Sequence, residues 1–146
     1  QIAAGRFAMI GSGSNLKSMA YVGNVAGFCE FLLRRGGTGL EIYNYADKPD
    51  LSVAQIVDVA AETLGVRVRR IPCPRFAALL LGRCGDALRV LLRRDMPVTY
   101  ERVRKFLADT RLPAERVRAA GFVPQYPLLE AFRNTVRTEF PRDLGE

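Results

Sequence analysis

The chain has 146 residues, enough for one domain of ordinary size with its own core. Its residues are 49% apolar, and 22 basic against 15 acidic side chains give a net charge of +7, a composition typical of a globular protein with anionic partners. It contains no histidine, which excludes serine–histidine–aspartate and cysteine–histidine catalysis by this chain alone.

The first third of the chain predicts three strands and a helix. Residues 7–10 and 18–22 are short apolar runs joined by a glycine–serine loop, which is typical of a β-hairpin. Asn24 is expected to cap the helix that follows, and Gly36 to end it. Residues 40–45 alternate in polarity and predict another strand, followed by a loop of sequence ADKPDL.

The middle of the chain contains the clearest helix signal. Ser52 and Gln55 have the spacing of a capping box, an apolar stripe follows at helical spacing, and Gly65 is expected to end the helix. Residues 66–71 then predict a short strand.

Helices dominate the second half of the predicted fold. Residues 75–93 predict a long helical stretch, apolar and basic, with a break near Gly82 or Gly85. Thr99 is expected to start another helix, and Pro113 to lie in the first turn of the next. A final helix is predicted from an apolar stripe of Leu129, Phe132, Val136 and Phe140.

This order of elements predicts a small mixed α/β fold, with a short β-hairpin, one or two further strands, and several helices concentrated toward the C-terminus. The sequence has no repeat, no low-complexity segment and no internal linker, so residues 1–146 are predicted to form a single domain. Three cysteines, an odd number without CxxC spacing, argue against a disulfide framework and favour a reducing, cytoplasmic compartment.

The glycine–serine loop at residues 11–14 fits neither common nucleotide-binding motif. Leu16 stands where a dinucleotide motif requires its third glycine, and a strand is predicted next instead of a helix. A Walker loop fails because Lys17 does not follow a G-x-x-x-x-G run. We interpret the loop as a turn, and consider Lys17, with Asn15 beside it, as a candidate to hold a phosphate by its charge.

Three runs of sequence occur in a familiar order: IGSGSNLKSMAYVGNVAGFCEFLL, IYNYADKPDLSVAQIVDVAAETLG and RVRAAGFVPQYPLLEAFRNTV. Together they resemble the C-terminal half of the extended short-chain dehydrogenase/reductase family, the NAD-dependent nucleotide-sugar epimerases, dehydratases and reductases. The resemblance covers residues 5–140. It implies that the chain is the substrate-binding portion of a Rossmann-type enzyme, without the N-terminal NAD-binding half.

The resemblance also implies roles for individual residues. The family places a basic residue at the head of the second strand, on the diphosphate of the sugar nucleotide, and Lys17 occupies that position with Asn15 nearby. A lysine in place of the usual arginine loses bidentate phosphate binding. The family's catalytic tyrosine–lysine pair is missing, since none of the five tyrosines has a lysine four residues on.

The partners that the resemblance implies are a nucleotide-sugar substrate, the missing NAD-binding half, and a second copy in a homodimer. NAD(P) is expected in the intact enzyme. This chain is expected to contribute no catalytic residue, no cofactor site and no metal site.

Two non-enzymatic alternatives stay open. The charge of +7 and the basic end of residues 52–70 are compatible with a nucleic-acid module, although no aromatic residues are interleaved with the basic ones. Residues 75–93 combine leucines with arginines, as membrane-surface helices do, but a core-packed helix pair explains them better. We therefore favour the enzyme fragment over nucleic-acid or membrane binding.

Overall fold

Four short strands and six helices make up the described part of this computed structural model, residues 1–71, 73–96 and 98–141. This composition confirms the small mixed α/β fold with a helix-rich second half. In chain order the elements are β1 (Ala8–Ile10), β2 (Leu16–Met19), α1 (Val22–Arg35), β3 (Asp47–Ser52), α2 (Val53–Leu64), β4 (Arg69–Ile71), α3 (Arg75–Leu92), α4 (Tyr100–Leu107), α5 (Glu115–Ala119) and α6 (Leu128–Glu139).

The predicted β-hairpin is wrong, because β1 and β2 belong to different two-stranded sheets. β1 pairs in parallel with β4, and β2 pairs antiparallel with β3. The loop between β1 and β2 instead crosses the start of α2, where the carbonyls of Gly13 and Asn15 accept hydrogen bonds from the amides of Ala54 and Val53. The glycines supply the positive φ that this path needs, +67° at Gly13.

The strand predicted at residues 40–45 is also displaced. Those residues have no strand pairing, and the strand lies at β3, where the sequence predicted a loop. The charged residues and Pro49 of β3 hide its strand character, since proline and charge are rare inside strands. β3 forms because its backbone pairs with β2 and because it buries Ala46, just before it, and Leu51.

The sequence predicted that Asn24 caps α1, but Asn24 lies within the first turn of the helix, and Tyr21 is at the cap position. The helix begins at Val22, and Asn24 is only 1% exposed. Its side-chain nitrogen donates to Asp47 Oδ1 (3.0 Å) and to the carbonyl of Tyr126 (2.8 Å), and its oxygen accepts from the amide of Tyr126 (3.0 Å). Asn24 thus ties α1, β3 and the loop before α6 together.

Asp47 is the second member of this buried network. Its carboxylate accepts from the amide of Tyr21 (2.7 Å), which precedes α1, and from the hydroxyl of Tyr45 (2.9 Å). Burial raises the pKa of Tyr45, and the hydrogen bond to Asp47 raises it further. Every side-chain polar group of the network therefore has a partner, as buried polar groups require.

The strongest helix predictions are confirmed. Ser52 and Gln55 form the capping box at α2, and Thr99 caps α4 by accepting from the amide of Arg102. Two details differ. The helix predicted to have Pro113 in its first turn begins at Glu115. In α6 the predicted stripe is confirmed at Val136, which is buried, and at Phe132, which packs against the core, whereas Leu129 and Phe140 are exposed and Leu128 and Ala131 are buried instead.

The predicted break in the long helical stretch is absent, and α3 runs unbroken past both glycines. Gly82 and Gly85 lie against the start of α4, where a β-carbon on Gly82 would come within 2.7 Å of the Tyr100 α-carbon. At Gly85 it would overlap the carbonyl of Val98. The glycines allow two helices to approach closely and do not end one.

The core is built around α2. One cluster joins Met9 of β1 to Val53 and Val57, and a second joins Ala60 and Leu64 to α6. Because α2 packs on both sides, the loop that crosses its first turn is held in a fixed place, and this loop forms one wall of the site described next.

Candidate functional site

A cleft of about 760 Å³ lies beside the glycine–serine loop. Three segments line it: residues 11–16, the start of α3 at residues 73–75, and the stretch after α4 at residues 107–109 with Arg111. Residues far apart in the sequence thus meet at one surface, and we take this cleft as the candidate site.

The glycine loop contributes backbone shape to the cleft but not a helix N-terminus. The first amides of α2, those of Val53 and Ala54, donate to the loop carbonyls of Asn15 (3.0 Å) and Gly13 (2.9 Å). Amides that are already bonded cannot bind a pyrophosphate in the manner of dinucleotide sites. The glycine loop and the start of α2 therefore do not fit the pyrophosphate of NAD.

Asn15 lies in the cleft wall and fastens the end of α4. Its side-chain nitrogen donates to the carbonyls of Phe106 (2.7 Å) and Ala108 (3.2 Å). Both hydrogens are used in this way, so the exposed surface of Asn15 offers a bound ligand its carbonyl oxygen and its position.

Lys17, two residues after Asn15, also fastens the end of α4. Its ammonium donates to the carbonyls of Lys105 (3.0 Å) and Ala108 (2.7 Å) and to the hydroxyl of Thr110 (3.3 Å). A cation at the carboxyl end of a helix is favoured by the helix dipole. Lys17 does not line the cleft, and the phosphate contact predicted for it stays a prediction.

Two arginines supply the positive charge of the cleft. Arg75 begins α3 on one side, and Arg111 follows α4 on another. Both side chains are exposed, and neither guanidinium has a hydrogen-bond partner within the described residues. The acidic side chain in the lining, Asp109, accepts from the amide of Leu16 (2.7 Å), so its charge is partly satisfied by the backbone.

The backbone around Arg111 is held firmly to β2. Residues on either side of Arg111 bond to the strand: the Ser18 amide donates to the Thr110 carbonyl (2.7 Å), and the Leu112 amide donates to Ser18 Oγ (2.8 Å). Ser18 Oγ in turn donates to Asp50 (2.6 Å). Arg111 therefore extends from a fixed stretch of chain.

Asp50 anchors this stretch as a carboxylate. Burial opposes its ionisation, but hydrogen bonds from Lys48 and Ser18, with the charges of Lys48 and Arg111, outweigh burial and hold the pKa of Asp50 below its ordinary value. Asp50 and the Arg111 guanidinium thus attract each other electrostatically.

The sequence did not single out Arg75 or Arg111 as site residues. No local pattern distinguishes Arg111 from the other arginines between residues 102 and 118. Only the pairing of residues near 17 and 110 shows which arginine faces the glycine loop.

Several other kinds of site are not found. Among residues 1–71, 73–96 and 98–141, no group of acidic or cysteine side chains has the arrangement of a metal site. No helix in the same ranges has the length and apolar character needed to cross a membrane.

Comparisons with known proteins give one informative match. No protein-family model matches the chain, and no solved structure matches it. The chain is 39% identical over 140 residues to the N-acetyl-alpha-D-glucosaminyl-diphospho-ditrans,octacis-undecaprenol 4-epimerase of Escherichia coli O157:H7. The match takes in 96% of this chain but 42% of that enzyme, so the chain spans less than half of its relative's length. Along nearly its whole length, the chain is thus similar to part of an epimerase.

Proposed function

We propose that this chain is the substrate-binding portion of an epimerase that acts on a sugar joined to a diphosphate, and that the cleft beside the glycine loop binds the diphosphate. The 39% identity with the 4-epimerase over nearly all of the chain carries the proposal. That enzyme is named for a sugar attached through a diphosphate to undecaprenol. A glycosyl diphosphate is also the substrate class implied by the resemblance of the sequence.

The chemistry of the cleft supports a diphosphate ligand. Arg75 and Arg111 place two permanently charged, planar donors at its walls, and a guanidinium can bind phosphate oxygens in pairs. The lining combines these two cations with the acidic side chain of Asp109, whose carboxylate accepts from the amide of Leu16. The diphosphate would anchor the substrate while its sugar extends toward the reacting groups.

Lys17 and Asn15 serve this site chiefly by position. Both hold the end of α4, and Arg111 follows that end by four residues. Asn15 also lines the cleft and can touch a bound substrate through its oxygen. Anchoring a substrate at a remote diphosphate fixes the orientation of its reacting carbon, and orientation contributes to catalysis.

The oxidation and reduction of the sugar are assigned to another part of the enzyme. NAD(P) is the cofactor expected for an epimerase of the resembled family, and a bound nicotinamide would accept and return a hydride. The glycine loop of this chain departs from the dinucleotide motif, and the first amides of α2 beside it are already bonded to loop carbonyls.

A titration tests the proposed diphosphate site. Binding of UDP-N-acetylglucosamine and of a short polyprenyl diphospho-N-acetylglucosamine is measured calorimetrically for the native chain, Arg111→Ala, Arg75→Ala and the control Arg34→Ala. Arg34 lies exposed on α1 and pairs with Glu30. Each cleft variant is expected to weaken binding by about 10- to 100-fold, because a charge-assisted hydrogen bond is worth about 1.5–3 kcal/mol.

The two ligands separate the two sources of diphosphate. Tighter binding of the nucleotide sugar assigns a nucleotide-sugar epimerase, and tighter binding of the polyprenyl compound assigns a lipid-linked substrate like that of the relative. If neither ligand binds, or if Arg34→Ala weakens binding as much as the cleft variants do, the proposed site is refuted.

A further inference from the structure

The helix α3 packs on the rest of the chain with one side only. Ala78, Gly82 and Gly85 are buried against the start of α4. On the opposite side a row of apolar side chains faces solvent. Phe76 is 74% exposed and Leu80 is 63% exposed, and the row continues three turns after Leu80 with Leu91, which is 77% exposed. Leu81 and Leu88 are exposed on the flank of this row. The sequence favoured a core-packed helix pair; α3 does pack on α4, but its leucine side is exposed.

The spacing of the exposed residues places them on one continuous face. Phe76, Leu80 and Leu91 recur at intervals of four and eleven residues, which return to nearly the same side of an α-helix. The eighteen-residue helix is about 27 Å long at 1.5 Å per residue. Exposed apolar faces of this extent mark sites of interaction in soluble proteins.

The charge beside this face is strongly positive. Residues 75–95 contain five arginines and two aspartates, a net charge of +3. Arg83 lies at the edge of this face and over the ring of Tyr100, with 4.7 Å between its guanidinium carbon and the ring centroid. Arg89 follows the buried Gly85 by four residues, so it lies on the packed side of α3, where it pairs with Asp95 at 3.4 Å. An apolar helix face with arginines at its margins is the pattern of helices that lie in an anionic membrane surface.

The exposed face is continuous with the candidate site. Arg75 lines the cleft as the first residue of α3, and Phe76, the next residue, begins the apolar row. A lipid surface under α3 would therefore lie within one helical turn of the cleft. A substrate attached to a membrane lipid could then reach the diphosphate site without leaving the bilayer.

We propose that the exposed face of α3 binds the surface of an anionic phospholipid bilayer, with Phe76, Leu80 and Leu91 inserted below the headgroups and the flanking arginines on the lipid phosphates. This docking surface is argued from α3 alone. Its purpose, to bring a lipid-linked sugar to the cleft, rests on the proposed function.

A flotation experiment tests the surface without any sugar. The full chain is mixed with vesicles of phosphatidylcholine containing phosphatidylglycerol, or of phosphatidylcholine alone. The double variant Phe76→Ser/Leu80→Ser is compared with Leu33→Ser/Val123→Ser, whose residues are 83% and 81% exposed on other surfaces. All four positions are exposed, so we expect every variant to fold, and circular dichroism checks this.

We expect the native chain to float with the phosphatidylglycerol vesicles, and the α3 variant to lose about tenfold or more in vesicle affinity, as the loss of two inserted side chains implies. The control variant and the diphosphate affinity of the α3 variant in solution should not change. Added salt should weaken the binding, because surface charges are screened.

Three results would overturn the proposal. The first is that the native chain fails to float with anionic vesicles. The second is that the control variant loses as much vesicle affinity as the α3 variant. The third is that the native chain sediments as a dimer, which Phe76→Ser/Leu80→Ser converts to a monomer with unchanged vesicle binding. The last result would assign the face to a second copy of the chain. None of these three results would change the loss of diphosphate binding expected for Arg111→Ala, so the two proposals are tested separately.

Discussion

Replacing Asn24 with leucine should lower the free energy of unfolding by far more than the small size of the asparagine side chain suggests. Leucine keeps the number and branching of the heavy atoms of asparagine but removes three hydrogen bonds of 2.8–3.0 Å at a position that is 1% exposed. Two of them join backbone groups of Tyr126, and the third reaches the carboxylate of Asp47. Neutral hydrogen bonds contribute about 1 kcal/mol each and those to charged groups about 1.5–3 kcal/mol. We therefore expect Asn24→Leu to lower the free energy of unfolding by about 4 kcal/mol.

Urea unfolding, followed by circular dichroism, measures this loss as a fall in the midpoint with an unchanged slope. The matched control is Asn134→Leu, an exposed asparagine on α6, which should change stability by less than about 0.5 kcal/mol. Asp47 keeps its bonds to Tyr21 and Tyr45 in the variant, so the fold should survive. A loss below about 1 kcal/mol would contradict the argument, since the buried groups would then have found other partners at little cost.

Three further predictions follow from other contacts. Gly85→Ala should lower the free energy of unfolding by more than about 2 kcal/mol, because the added β-carbon would overlap the carbonyl of Val98 before α4. The control is Gly27→Ala on α1, where the β-carbon would have ordinary contacts of 3.7 Å. This variant should be neutral or stabilising by up to about 1 kcal/mol. Because the pKa of Tyr45 is raised on folding, the folded state retains a proton that the unfolded state loses at about pH 10, so stability should fall as the pH rises above about 10. Urea midpoints between neutral and alkaline pH should show this fall for the native chain and a smaller one for Tyr45→Phe. Lys17→Met should lower the unfolding free energy by about 1 kcal/mol or more by leaving carbonyls at the end of α4 unpaired, and a tenfold loss of diphosphate affinity with unchanged stability would instead support direct phosphate contact.

The sequence predicted best the elements that local residues determine. The helix α2 is capped by Ser52 and ends before Gly65, as predicted, because a capping box and a left-handed glycine act on residues close to them in the sequence. The helix order and the mixed α/β character follow from the same local signals. Strand β3 was not predicted because its local sequence, with Pro49 and two aspartates, favours a loop. Only the pairing with β2 overrides that preference.

The site depends most on contacts that no local pattern contains. Residues 15–18 and 105–112 lie about ninety positions apart, and their hydrogen bonds decide which side chains hold the backbone and which face the cleft. The sequence offered Lys17 as the cation nearest the glycine loop, but three oxygen acceptors surround its ammonium. The same contacts place Arg111 at the cleft with no hydrogen-bond partner in the described ranges. The three N–H donors of Lys17 are already used within the fold, whereas the Arg111 donors face the cleft, so Arg111 is the better candidate for the diphosphate.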